Sequence, residues 1–277
     1  KGNNYFAGNI TINSTKVVFN ASTGKMILKG ANNQILNGEA AYNIGKLEIN
    51  KEVGTITLTR SMTIDSSITF VNGIINTDST ITLKAVVNCS GSSNLSFVDG
   101  PVKKIGNTAF VFPVGDEGKI GTIEISAPAA STESFTARYF ARPAQQVSDS
   151  VDTTLSKVSL CNYWSLNRNS GTTNVKVKLY WDTIGCALFD TSSIRVAEFN
   201  GSNWRSLGKM NVNGNVDIGS FQNYDNVSSY SYFTFGIIVT TLDVTADISQ
   251  SVNRPIQEDF FGFNGANTIE LDVNNNS

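Results

Sequence analysis

The chain has 277 residues, enough for two domains that each bury their own core. Only 16% are charged, 21 basic against 23 acidic with a formal net charge of -2, so no basic stripe is available to follow a phosphate backbone and no nucleic acid partner is expected. Histidine is absent, which removes Ser-His-Asp and Cys-His mechanisms and the commonest zinc ligand. The longest apolar runs, such as Ile237-Ile238-Val239, are strand-sized, so no membrane insertion is expected.

The chain opens at Lys1-Gly2 with no hydrophobic leader, and the reading is a mature product or, preferred here, a piece of something larger. Residues 1–13 are short and polar, too little to cap a stack of strands. From residue 14 to 98 the pattern is of very short strands. Ile56-Thr57-Leu58, Met62-Thr63-Ile64, Ile68-Thr69-Phe70, the variant Gly73-Ile74-Ile75 and Ile81-Thr82-Leu83 recur six or seven residues apart. That spacing is too close for hairpin strands with loops and out of phase with a helical stripe. Looser relatives precede them at Val17-Val18-Phe19, Met26-Ile27-Leu28, Gln34-Ile35-Leu36 and Leu47-Glu48-Ile49, separated by Gly, Asn and Ser clusters that mark turns. A β-solenoid fits, with three triplets per coil of about twenty residues and roughly four coils. Because side chains alternate along a strand, Ile64, Phe70 and Leu83 should point inward and Thr57, Thr63, Thr69 and Thr82 outward.

At Asp99-Gly100-Pro101 the pattern changes to longer strands in which apolar and polar residues alternate. Phe110 and Phe112, Ile123 and Ile125, then Phe135, Ala137 and Tyr139 occupy alternate positions; Val175 to Leu179 alternates with Lys; further strands are expected at Ile194 to Phe199, around Trp204 and from Tyr232 to Ile238, with Asn200-Gly201 as a hairpin turn. Eight or so strands with one apolar face predict an antiparallel sandwich. Residues 141–157 are polar without a strand pattern and are expected to form a long loop or flexible connection. The expected fold is therefore all-β, a short parallel β-solenoid (1–100) followed by an antiparallel β-sandwich (101–241), with 242–277 a linker or the start of a further module.

Chemistry-bearing residues are few. The acids of the first half, Glu39, Glu48, Glu52, Asp65, Asp78 and Asp99, do not recur at a coil period that would gather them into a cleft, and they read as solvated turn residues. Asp116-Glu117 follows a Gly-flanked turn, but a lone pair lacks the six or more oxygens that calcium prefers. Trp164, Trp181 and Trp204 could stack on sugar rings or fill the sandwich core, the reading preferred. Three cysteines make no disulfide framework: Cys89, Cys161 and Cys186 are either three buried thiols or include one Cys161–Cys186 bridge. No catalytic residue, metal or cofactor is expected.

Several longer segments carry a likeness. QILNG (Gln34–Gly38), LEINK (Leu47–Lys51), FVNGIINT (Phe70–Thr77) and SFVDGPVKKIGNTAFVFPVGD (Ser96–Asp116), followed by FTARYFARP (Phe135–Pro143), YWSLNRNSGTTNVKVKLYWD (Tyr163–Asp182), IRVAEFNGSNWRSLG (Ile194–Gly208) and SYFTFG (Ser231–Gly236), occur in that order. Together they resemble a module pair of very large secreted proteins of the Bacteroidetes, exported by the type IX secretion system. The resemblance implies a cell-surface or extracellular setting and a role as spacer, adhesin or presenting element. It also implies O-glycans at Asp-Ser/Thr followed by an aliphatic residue or Thr, a pattern found at Ser79, Ser150, Thr153 and Thr183. RPIQEDFFGFNGANT (Arg254–Thr268) resembles the opening strand of (β/α)-barrel glycoside hydrolases, although a barrel needs about 250 residues and nine follow.

The expectation is thus a non-enzymatic extracellular structural or adhesive module, with neighbouring modules, like chains or surface polysaccharide as partners. The alternatives are an accessory region of a polysaccharide-degrading enzyme, binding glycan or spacing the catalytic domain, and a filament subunit stacked through an open solenoid end.

Overall fold

The structure, a computed structural model, describes residues 2–14, 19, 24–183, 191–224, 226–227 and 229–238. Among them the chain is nearly all strand, with a single turn of 3-10 helix at Ala144–Gln146. The first part is a parallel β-solenoid of about five turns, one more than the triplet count suggests because Gly2–Phe6 and Ile10–Ile12 already contribute rungs.

Each coil has three faces. Gly2–Phe6 pairs in parallel with Gly24–Gly30, which pairs with the middle of Tyr42–Leu58, and the ladder continues into Met62–Asn76 and Asn88–Ser90. Rung partners such as Met26 and Leu47, or Leu47 and Ile68, lie 21 residues apart, the expected coil length. The inward residues stack into continuous columns: Leu28, Ile49 and Phe70 on one face; Ile56, Ile75, Val98 and Val114 on the second; Tyr42, Met62, Ile81 and Val102 on the third. All are buried, as are Ile64 and Leu83, while Thr57 is exposed and Thr63, Thr69 and Thr82 are half-buried on the outer side. The alternation of a two-residue period thus sorts the triplets as expected.

Two lysines occupy inward positions and are satisfied by the backbone of the corners. Lys51 is buried, and its Nζ donates to the carbonyls of Lys29 and Asn32 at 3.0 and 2.7 Å and to Gln34 Oε1 at 3.0 Å. Gln34 in turn donates to the carbonyls of Phe6 and Gly8, so one buried polar brace ties three consecutive coils. Room for it comes from Gly73, whose φ of 111° favours glycine and where a Cβ would lie 2.5 Å from Lys51 Cγ. Lys104 repeats the device on the column below Ile64 and Leu83, donating to the carbonyls of Lys84, Ala85 and Ile105 and lying 5.5 Å from the Phe110 ring centroid. Burial lowers the pKa of both lysines, because the ammonium form gives up water for neutral carbonyls.

Strand Val102–Ile105 joins the two halves. One edge pairs in parallel with Ile81–Leu83 and the other pairs antiparallel with Ser134–Phe140. From there the same sheet runs through Tyr163–Ser170, Tyr232–Ile237, Ile194–Phe199 and Trp204–Ser206. A second, five-stranded antiparallel sheet covers it, in the order Phe110–Phe112, Ile123–Ile125, Val177–Trp181, Gly219–Gln222, Met210–Gly214. Alternation marked most of these strands; the mostly exposed edge strand Met210–Gly214, which alternates only through Met210 and Val212, was not among those expected. One apolar cluster extends from Ile12 to Phe235 without a break at residue 100, and in the sandwich it is dominated by Trp164, Trp181, Phe221 and Phe235 with centroids 5.4–6.2 Å apart.

The segment 141–157 is a loop, and it is held against the outer face of the first sheet. Ala144, Leu155 and Val158 form a second small cluster with Tyr163, Ala197 and Trp204. The Trp204 indole N–H donates to the Ser148 carbonyl, and its backbone bonds to Ser150 and Asp152. A buried indole behind a polar sequence accounts for a packing that strand periodicity does not signal.

Replacing Lys51 by Met keeps the bulk of the side chain but takes the donor from three acceptors, one buried and two partly buried. Lys51→Met should therefore lose about 2–4 kcal/mol of stability, against about 0.5 kcal/mol or less for the exposed Lys157→Met, as read from denaturant unfolding. Equal midpoints for the two variants would show that the brace contributes nothing.

Candidate binding cleft

On the second solenoid face the outward positions of three successive coils are Thr57, Asn76 and Asp99, paired rung to rung. This ladder, with strand-to-strand steps of about 4.8 Å, lines a cleft of about 450 Å³ where the solenoid meets the sandwich. The turn at Thr77, Asp78 and Ser79 forms part of the lining, and Arg138 enters from strand Ser134–Phe140. Thr77 shapes that turn, its hydroxyl accepting from the Ser79 N–H at 2.9 Å.

Arg138 Nη2 lies 3.2 Å from Asp78 Oδ1, and its guanidinium sits 5.3 Å from the Phe140 ring centroid, which is itself stacked on Tyr163 at 4.7 Å. The Asp78 side chain is 94% exposed, so this pair is worth little in water and the guanidinium is free to re-pair. Asp99 is half-buried and its carboxylate accepts no hydrogen bond from the described residues. Burial, and next the charge of Asp116, raise its pKa. Asp116 itself is engaged: it accepts the Ala141 N–H at 3.1 Å and lies 3.8 Å from Arg142.

Asp78 and Asp99 both line the cleft, but not as rung partners: Asp99 pairs with Asn76, and Asp78 lies in the turn beyond that rung. Two acids read as scattered turn residues thus share a cleft without stacking at the coil period; the turn brings Asp78 beside Asp99, and the junction strand brings Arg138. The remaining acids are dispersed: Glu48 pairs with Lys25 at 2.6 Å, Asp65 pairs with Lys84, and Glu39 and Glu52 are exposed. Among the described residues no group of three or more Cys, Asp or Glu is arranged to hold a metal ion. At Asp116-Glu117 the first carboxylate is committed to the backbone and Arg142, and Glu117 adopts a left-handed φ of 51°. Trp164, Trp181 and Trp204 are all buried, so none offers a ring face to a sugar.

Of the four glycosylation positions, Ser150, Thr153 and Thr183 are exposed, and half-buried Ser79 lines the cleft. Cys186 lies outside the described residues, and with it the Cys161–Cys186 pairing; residues 239–277, including Arg254–Thr268, lie outside them too. Cys89 is a free, half-buried thiol whose pKa burial pushes up to about 12, which leaves it unreactive. No helix among the described residues is long and apolar enough to cross a membrane.

The fold and cleft define an all-β solenoid-and-sandwich protein with a polar seam between its halves. No family model, no characterised protein and no solved structure matches the chain.

Titration offers a check on this packing. Burial pushes the Tyr42 and Tyr139 hydroxyls up to about 12, above the roughly 10 of an unfolded tyrosine. The folded state then holds these protons more tightly, so their stabilisation is complete below pH 10 and is lost as pH rises through 12. Melting temperature should fall with pH above about 10, and while the chain is still folded the parent and a Tyr42→Phe, Tyr139→Phe double variant should show the same tyrosinate absorbance. A larger absorbance in the folded parent near pH 10 would mean that Tyr42 and Tyr139 are solvated.

Proposed function

We propose that this chain is a non-enzymatic structural module of a large secreted, cell-surface protein, holding neighbouring modules apart and presenting them. The observation that carries the reading is the double pairing of Val102–Ile105, which continues one hydrogen-bonded sheet from the solenoid into the sandwich. A stalk built this way has no flexible joint between its halves, and each coil leans only on its neighbours. The setting rests on the resemblance of the ordered motifs to Bacteroidetes surface proteins and on a composition rich in Asn, Ser and Thr and poor in charge. The lack of histidine and the dispersal of most acids support the non-enzymatic reading.

The partners in this reading are modules of the same polypeptide or like chains. The outer edges of Gly2–Phe6 and Ile10–Ile12 have no strand partner among the described residues, and such an edge invites pairing. Growth into a filament is less well supported, since the sandwich continues the sheet at the other end of the solenoid and leaves no matching open coil there. The cleft favours a second reading, a glycan-contacting accessory region of a polysaccharide-active protein.

A stalk of this kind should unfold as one body. All three tryptophans, Trp164, Trp181 and Trp204, belong to the sandwich, whereas far-ultraviolet circular dichroism reports both halves. The two signals should give one coincident transition. A separate, tryptophan-silent transition for the solenoid would refute the rigid-stalk reading. In natively secreted material, glycopeptide analysis should find sugars on Ser150 and Thr153, where the exposed loop can carry them; unmodified peptides across 142–157 would remove the support that modification gives to the secretion route.

A further inference from the structure

We propose that the cleft between the Thr57–Asn76–Asp99 ladder and Arg138 binds a neutral saccharide. The lining supplies what a polyol needs: carboxylate acceptors at Asp78 and Asp99, an amide at Asn76 that can both donate and accept, and a fork of donors on Arg138. Asp99 is the key group. Its carboxylate is half-buried, raised in pKa by burial and by Asp116, and accepts no hydrogen bond from the described residues, so it is open to accept one from a ligand hydroxyl in place of water.

Other ligand classes fit less well. Two carboxylates against one guanidinium make the lining net negative, and Asp116 adds to the field at Asp99 while Arg142 partly offsets it; uronates, sulfated sugars and phosphates are disfavoured. A bare metal ion would have to displace Arg138 from Asp78 and would find only two carboxylates. An apolar ligand would strand the ladder's polar groups. The volume is at the lower end of the range for small-ligand sites, on the order of 300–1,000 Å³, which suits a short stretch of sugar chain. The ladder repeats along the solenoid axis, so a linear glycan lying parallel to that axis meets a similar hydrogen-bonding group at each coil. Arg138 is steadied by its contact with the Phe140 ring.

The test uses the 277-residue chain produced without glycosylation and native affinity electrophoresis in gels containing mannan, xylan, arabinan or mixed-linkage glucan, with pectate, alginate and carrageenan as acidic counterparts. At least one neutral polymer should retard the chain and the acidic ones should not. Asp99→Asn and Arg138→Ala should each weaken that retardation about tenfold, the loss of one charged hydrogen bond, with melting temperatures near that of the parent. Loss of binding with the melting temperature kept assigns the contact to the cleft. Free migration on every neutral polymer, retardation by an acidic polymer, or retention unchanged in both variants would each overturn the proposal. So would a sugar covalently attached to Ser79 in native material together with no binding by the unmodified chain, because the cleft would then house the protein's own glycan.

Discussion

Everything in this molecule depends on the strand Val102–Ile105 being able to pair in two senses at once. Its parallel edge completes the solenoid's third face and its antiparallel edge starts the sandwich. A solenoid must deal with the open edge of its last coil, where unpaired backbone groups and core side chains face water. Here the sandwich deals with it by hydrogen bonding, and Val114, whose rung partner is Val98, carries the inward column of the second face across the junction. That is why the apolar cluster has no boundary at residue 100 although the sequence pattern changes there.

The buried lysines follow from the same geometry. Corners of a solenoid turn carbonyls inward, and a carbonyl in an apolar column needs a donor. Lys51 and Lys104 each reach three acceptors, so an ammonium that would be intolerable alone is held by oxygen atoms the fold has to satisfy anyway. Tyr42 works in the same way at another corner, its hydroxyl 2.8 Å from the carbonyls of Ile10 and Asn37. Such polar fastenings fix which coil sits on which, a choice that interchangeable aliphatic residues would leave loose.

The parts of this fold legible in the sequence are those governed by local periodicity. Ile56-Thr57-Leu58 and its relatives announce short strands with a fixed inside, and Val177 to Leu179 announces an alternating sheet, because the period of two is a property of neighbouring residues. What stayed hidden depends on residues far apart in the chain. Nothing in LEINK marks Lys51 as buried; its role depends on the carbonyl of Asn32, 19 residues earlier in the chain. The loop 141–157 reads as free until Trp204 is seen to need its Ser148 carbonyl. The cleft was not legible: Asp78 meets Asp99 through the turn that follows the Asn76 rung, and Arg138 is brought to them by the antiparallel pairing of Ala137 with Val102, which no local pattern encodes.

The cleft sits at the seam for a structural reason. Along the solenoid, outward side chains form an even wall, since each rung repeats the one before. At the junction the third face continues into Ser134–Phe140, while on the second face Val114–Asp116 turns back to pair antiparallel with Lys119–Ile120. Both faces thus leave the parallel ladder at this corner. The side chains there, Asp99 from the last full rung and Arg138 from the first antiparallel strand, are released from the ladder's repetition and can be chosen for what they contact. On the solenoid, whose other outward side chains stand on repeating rungs, this corner is a place where a change of one residue alters the cleft without disturbing a column of the core.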